Sequence, residues 1–100
     1  MAVTVVTRWT TPNVEASTQG AKQAKAIWMK NGALDFRLSQ IFTGAYTGQW
    51  IVAVAFPDMA TYGRASAAVQ ASPDMQKIQA DNARIGAVLQ EREILVGVDL

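Results

Sequence analysis

Residues 48–63 read Gly48-Gln49-Trp50-Ile51-Val52-Ala53-Val54-Ala55-Phe56-Pro57-Asp58-Met59-Ala60-Thr61-Tyr62-Gly63, and the order of residue types in this stretch decides the architecture. Trp50 to Phe56 is an unbroken apolar run with aromatic and β-branched members, the composition of a strand buried on both faces and therefore central in its sheet. Pro57 ends the run. Asp58 then offers a side-chain oxygen to the free N–H groups of a new helix, so a central strand passes into a helix over a two-residue connection.

Toward the N-terminus, Leu34 to Thr43 alternates as a strand. Leu34, Phe36, Leu38, Gln40 and Phe42 share one face, and Asp35, Arg37, Ser39, Ile41 and Thr43 the other. The turn-rich Gly44-Ala45-Tyr46-Thr47-Gly48 joins it to the central strand as a β-hairpin. Placing Phe42 across from Trp50 pairs even-numbered residues with even-numbered ones. Phe36, Leu38 and Phe42 then join Trp50, Val52, Val54 and Phe56 on a bulky face, leaving Arg37, Ser39, Ile41, Ile51, Ala53 and Ala55 on a smaller, more polar one. A one-residue slip would exchange the partners.

The chain opens with the β-branched run Val3 to Thr10, a first strand. Thr11-Pro12-Asn13 starts a helix, capped by Thr11 or Asn13, that runs from about Val14 to Asn31 and stops at Gly32. After Asp58, Met59, Tyr62 and Val69 repeat at helical spacing. Ser72-Pro73-Asp74 is a fresh start signal, so the second helical region is two pieces broken near Ala71. Met75, Ile78, Asn82, Ile85 and Leu89 fall on one helical stripe. Glu91 to Val98 is the last strand.

One hundred residues make one domain, residues 1–100. Half the residues are apolar and 17% are charged, which points to a packed globule. The net charge of +1 and pI near 8.1 leave no basic footprint for nucleic acid, and Lys22, Lys25 and Lys30 read as a solvated helix face. The chain has no Cys and no His. Disulfides, thiolate nucleophiles, His-ligated haem or zinc, and imidazole acid–base catalysis are thereby excluded within a single chain. No apolar run approaches the length of a membrane span, and no basic region followed by an apolar core opens the chain, so a cytoplasmic protein is expected.

The order β-α-β-β-α-β with right-handed crossovers gives an α+β fold: a four-stranded antiparallel sheet with the first and third strands central and the helices on one face. The other face still carries Val6, Ile41, Ile51, Ala53, Ala55 and Leu95, too apolar to stand bare in water, and a two-fold partner laying its own sheet across it is the expected cover. In this topology, in the hairpin loop, in the strand ending Phe56-Pro57-Asp58 and leading into Met59-Ala60-Thr61-Tyr62-Gly63, and in the broken second helical region, the chain resembles the dimeric α+β barrel superfamily of ferredoxin-like proteins. That group includes antibiotic-biosynthesis monooxygenases and stress-responsive, EthD-like and NIPSNAP-like proteins. The resemblance covers nearly the whole chain and implies a homodimer with a cavity between sheet and helices or inside the barrel. Some members are cofactor-independent monooxygenases that bind an electron-rich substrate which itself activates dioxygen.

Five residues are the pocket candidates. Arg8 and Arg37 both fall on the small-residue face and suit a carboxylate or another planar anion; the alternative is ion pairing with Asp35, Glu91 or Glu93. Tyr46, Trp50 and Tyr62, with Trp9 beside them, are aromatics able to line a pocket, Tyr46 from a loop; the alternative for Trp50 and Tyr62 is core packing. Gln49 can bind a ligand or cap the hairpin. Asn13, Asn31 and Asn82 read as a cap, a helix end and a surface position. No residue is singled out as catalytic, and no metal or cofactor is expected. The leading expectation is a homodimeric barrel for a small anionic or aromatic ligand, monooxygenase-like or isomerase-like. The competing one is a non-enzymatic stress-associated or assembly module.

Overall fold

A computed structural model describes all of residues 1–100. In chain order the elements are β1 (Val3–Thr10), α1 (Val14–Lys30), β2 (Asp35–Gln40), β3 (Trp50–Phe56), α2 (Met59–Gln70), α3 (Pro73–Ile85) and β4 (Val88–Val96). The sheet runs β2-β3-β1-β4 with every neighbouring pair antiparallel. The two strands richest in β-branched and small apolar residues are therefore the central ones, as the sequence predicts.

Three side chains start the three helices. Asn13 accepts from the Ala16 N–H at 3.0 Å, Asp58 from the Thr61 N–H at 2.7 Å, and Ser72 from the Met75 N–H at 3.3 Å with Pro73 in the first turn. The hydrogen bonds from the Thr61 side chain and backbone hold the Asp58 carboxyl below its ordinary value. Ser72 separates α2 from α3, so Ser72→Ala is expected to cost about 1 kcal/mol, read as a lower urea midpoint at unchanged slope. An unmoved midpoint would show that its hydroxyl contributes nothing to the break.

The helices cover one face of the sheet. Val3, Val5, Ala33, Phe36, Val54, Phe56 and Ala65 form the main core, and Val69, Met75 and Ile78 a second between the helices, bridged by Ala24 and Trp28. Phe56 is fully enclosed, with Trp28 edge-on at 5.7 Å and Tyr62 at 5.3 Å. On the opposite face Val6, Ile51, Ala53 and Ala55 are only half-covered by the chain itself, and Leu95 is 50% exposed.

Two expectations need correcting. Trp50 pairs with Gln40, not Phe42; the shift is two residues, so the even-with-even faces survive while Phe42 lies in the loop, 92% exposed. The cause is the turn. The Ile41 N–H donates to Gln49 O and the Gly48 N–H to Ile41 O, both at 2.8 Å, which closes the hairpin at residues 41–49. Secondly, Leu89 is not part of the helical stripe: Gly86 adopts φ 83° and ends α3, a left-handed conformation that glycine takes without strain. The last strand consequently begins at Val88 and ends at Val96. The pairing of this strand with β1 shifts between Arg8 and Trp9, where Arg8 faces Glu91 and Trp9 faces Leu89. This bulge at Gln90 presents Leu89 instead of Gln90 to the helix side.

Candidate functional site

Between the sheet and the helices lies a cavity of about 310 Å³. Its floor is the helix-facing side of the strands, where Thr7 pairs with Val52 and Trp9 with Trp50. The roof explains the space. From Ser17 to Ala24 the residues that α1 contributes to the wall are Ser17, Thr18, Gly20, Ala21 and Ala24, none large enough to reach the strands and fill the gap. All three tryptophans of the chain, Trp9, Trp28 and Trp50, line it, together with Tyr62.

Its polar groups are few. Thr7 is the only buried polar residue of the chain, and its Oγ1 accepts the Trp9 Nε1–H at 2.9 Å, which fixes the Trp9 ring at the wall. Ser66, Gln70, Gln79 and Asn82 contribute from the helices, and Arg92 from β4. Such a predominantly apolar hollow with a handful of polar groups has the size and lining of a small-molecule site.

The sequence-predicted residues divide between the two faces. Trp50 and Tyr62 line the cavity. Arg8 and Tyr46 come together on the opposite side of the sheet, the guanidinium carbon 3.6 Å from the ring centre, a cation–π contact. Arg8 also donates to Gln49 Oε1 at 2.5 Å and pairs with Glu91 at 3.2 Å, its side chain only 14% exposed. These contacts fasten the hairpin loop to the sheet. Arg37 joins neither group. It lies on edge strand β2, exposed, 2.6 Å from Asp35, whose carboxyl it holds below the ordinary value. Asn82, read from sequence as a surface residue, is half-buried at the cavity wall.

Glu91 and Glu93 share the Arg8 side of β4. The neighbouring Glu93 carboxyl, followed by the hydrogen bond from Arg8, pulls Glu91 down, while the Glu91 carboxyl beside it pushes Glu93 up. Ionised Glu91 therefore favours folding above the ordinary carboxylate range and loses that effect as pH falls. Glu93 binds its proton more tightly folded than unfolded, so its ionised form opposes folding once pH exceeds its raised pKa. Glu93→Gln is expected to raise the melting temperature at about pH 7 and to lose the advantage near pH 4, where Glu93 itself is protonated. An equal gain at both pH values would contradict the pairing.

Arg92 escaped the sequence reading. The alternation of Glu91-Arg92-Glu93 does place Arg92 on the face away from the glutamates, but which face holds the cavity depends on where the helices pack. No three acidic residues of the chain gather into a group able to hold a metal ion, and no helix is long and apolar enough to cross a membrane.

Comparison with solved structures supplies the fold's relatives. SnoaB from Streptomyces nogalater, a cofactor-independent oxygenase, superposes at TM-score 0.70 with 17% identity, over 99% of this chain and 95% of that one. A dimeric ferredoxin-like protein from an uncultured marine organism superposes at TM-score 0.69 with 14% identity, over 98% of each chain. A dabb family protein with a ferredoxin-like fold from Mesorhizobium loti gives TM-score 0.64 and 16% identity, over 99% of this chain and 97% of that one. The fold is thus ferredoxin-like, shared with monooxygenase-like and dimeric proteins. No curated protein matches the chain in sequence. A family model, described as a domain of unknown function (DUF6854), matches residues 1–94, and the chain belongs to that family.

Proposed function

We propose that this chain is a homodimeric barrel that binds a small aromatic molecule in the cavity between its sheet and helices, and that its chemistry is monooxygenase-like without a resident cofactor. The observation that carries the binding role is the hollow itself. About 310 Å³ of concave, largely apolar space stays unfilled between sheet and helices, the setting in which small molecules bind. Rings suit its lining, because Trp28, Trp50 and Tyr62 present flat apolar surface to it.

The dimer is supported by the other face. Val6, Ile51, Ala53 and Ala55 are half-covered and Leu95 is exposed; a flat sheet of small apolar residues is what a second copy can cover. The oxygenase chemistry draws on the description of SnoaB as cofactor-independent. A substrate that supplies its own electrons to dioxygen needs from the protein only position and exclusion of water, which an apolar pocket provides.

A titration with planar aromatics tests the binding role. Since every tryptophan lines the cavity, a ligand seated there changes the tryptophan emission, and it raises the melting temperature because it prefers the native state. A panel of such compounds that moves neither quantity would refute the reading.

A further inference from the structure

Arg92 is the one charged side chain on the cavity wall. The chain's four ion pairs, Arg8–Glu91, Asp35–Arg37, Lys77–Asp81 and Arg84–Asp81, all leave it out. Its sequence neighbours Glu91 and Glu93 cannot serve it, since alternation along β4 sends them to the other face with Arg8. Directly across the β1–β4 pair stands Thr7. The Thr7 oxygen already accepts from Trp9, so what the hydroxyl has left to give is its hydrogen. A guanidinium without a carboxylate and a hydroxyl donor thus face one apolar hollow from neighbouring strands, two donors with one kind of complement: an oxyanion.

Resting on the reading of the cavity as a ligand site, we propose that its ligand is a planar aromatic monoanion, a carboxylate or equivalent oxyanion held between Arg92 and Thr7, with its ring against Trp9, Trp50 and Leu89. A single cation matches a single negative charge. Arg92 is exposed on edge strand β4, so its guanidinium stands at the open rim of the hollow and meets the anion there while the ring lies inward, and the apolar wall beneath offers nothing to a second charged group. Arg92 sets which molecules are accepted, while the aromatic walls supply the bulk of the contact.

The test compares 2-naphthoate with its neutral isostere 2-naphthamide, titrated into the full chain while tryptophan emission is followed. Wild type is expected to prefer the acid by about tenfold or more, the usual weight of a charged hydrogen bond. Arg92→Gln should erase that preference while leaving naphthamide binding unchanged, Arg92→Lys should restore part of it, and Thr7→Val should reduce it. Equal binding of the two compounds by wild type, a comparison that needs no variant, overturns the proposal and leaves the cavity reading standing. So does a preference that survives Arg92→Gln. If neither compound binds, the cavity reading falls and takes the proposal with it.

Discussion

Phe56→Ala is expected to remove about 3–5 kcal/mol of stability, the range for deleting an enclosed aromatic side chain, out of the roughly 5–15 kcal/mol available to a domain of this size. Phe56 is 0% exposed and is the point at which three elements meet: Trp28 of α1 edge-on, Tyr62 of α2 tilted against it, and β3 carrying it. Truncating it removes the contacts of both rings and leaves a cavity among groups held by three separate elements. Urea unfolding should show the loss as a lower midpoint, and thermal melting as a fall of about 12 °C or more. A loss below about 1 kcal/mol would mean that Phe56 is not where the helices are fastened to the sheet.

The second large effect is expected on the bare face. Val6 lies in a central strand with Ala53 on one side and Glu93 on the other, so an aspartate there has no cation as a cross-strand neighbour. In an isolated chain Val6→Asp remains half-exposed and the fold tolerates it at the cost of lost strand preference, about 1 kcal/mol. Between two sheets, each new carboxylate would be stripped of water without a partner, at a cost of several kcal/mol. The dimer dissociation constant should rise by about two orders of magnitude or more. Sedimentation of the variant over a concentration series reads this directly, with far-UV circular dichroism checking that the monomer is folded. An unchanged constant would move the interface elsewhere.

Much of the architecture was legible because local signals and tertiary demands agree. Pro57 and Asp58 mark the strand-to-helix joint, Ser72-Pro73 marks the break between α2 and α3, and the apolar run Trp50 to Phe56 marks a central strand; each is a local rule that the fold obeys. The misplacement of Phe42 has a tertiary cause. Backbone bonds between Ile41 and Gln49 end the ladder two residues sooner than alternation alone implies, and period-two reading carries no information about where a ladder stops. Leu89 fits a helical stripe with Ile85, but Gly86 turns the chain first.

The site was harder to read. Arg8, Arg37, Ser39, Ala53 and Ala55 do share the face that alternation assigns to them, and small residues there implied space. Small residues on a sheet make a flat surface, however, and a hollow needs two walls. The second wall is α1, where Ser17, Gly20, Ala21 and Ala24 line the same hollow as Thr7 and Trp50, a relation between elements that no single stretch encodes. Trp50 and Tyr62 reached the cavity because bulky residues sit on the helix side. Arg92 was hidden because alternation along β4 puts it opposite the glutamates without saying which of the two faces the helices cover, whereas the bulge at Gln90 changes only the residues before Glu91.

The proposed division of the sheet into a ligand face and a partner face is tested most directly by the mass of the wild-type chain in solution, measured by light scattering at micromolar concentration. A single species at about twice the chain mass of 10.8 kDa is the expected result. A stable species at 10.8 kDa would contradict it, for Val6, Ile51 and Leu95 would then stand in water with nothing to cover them.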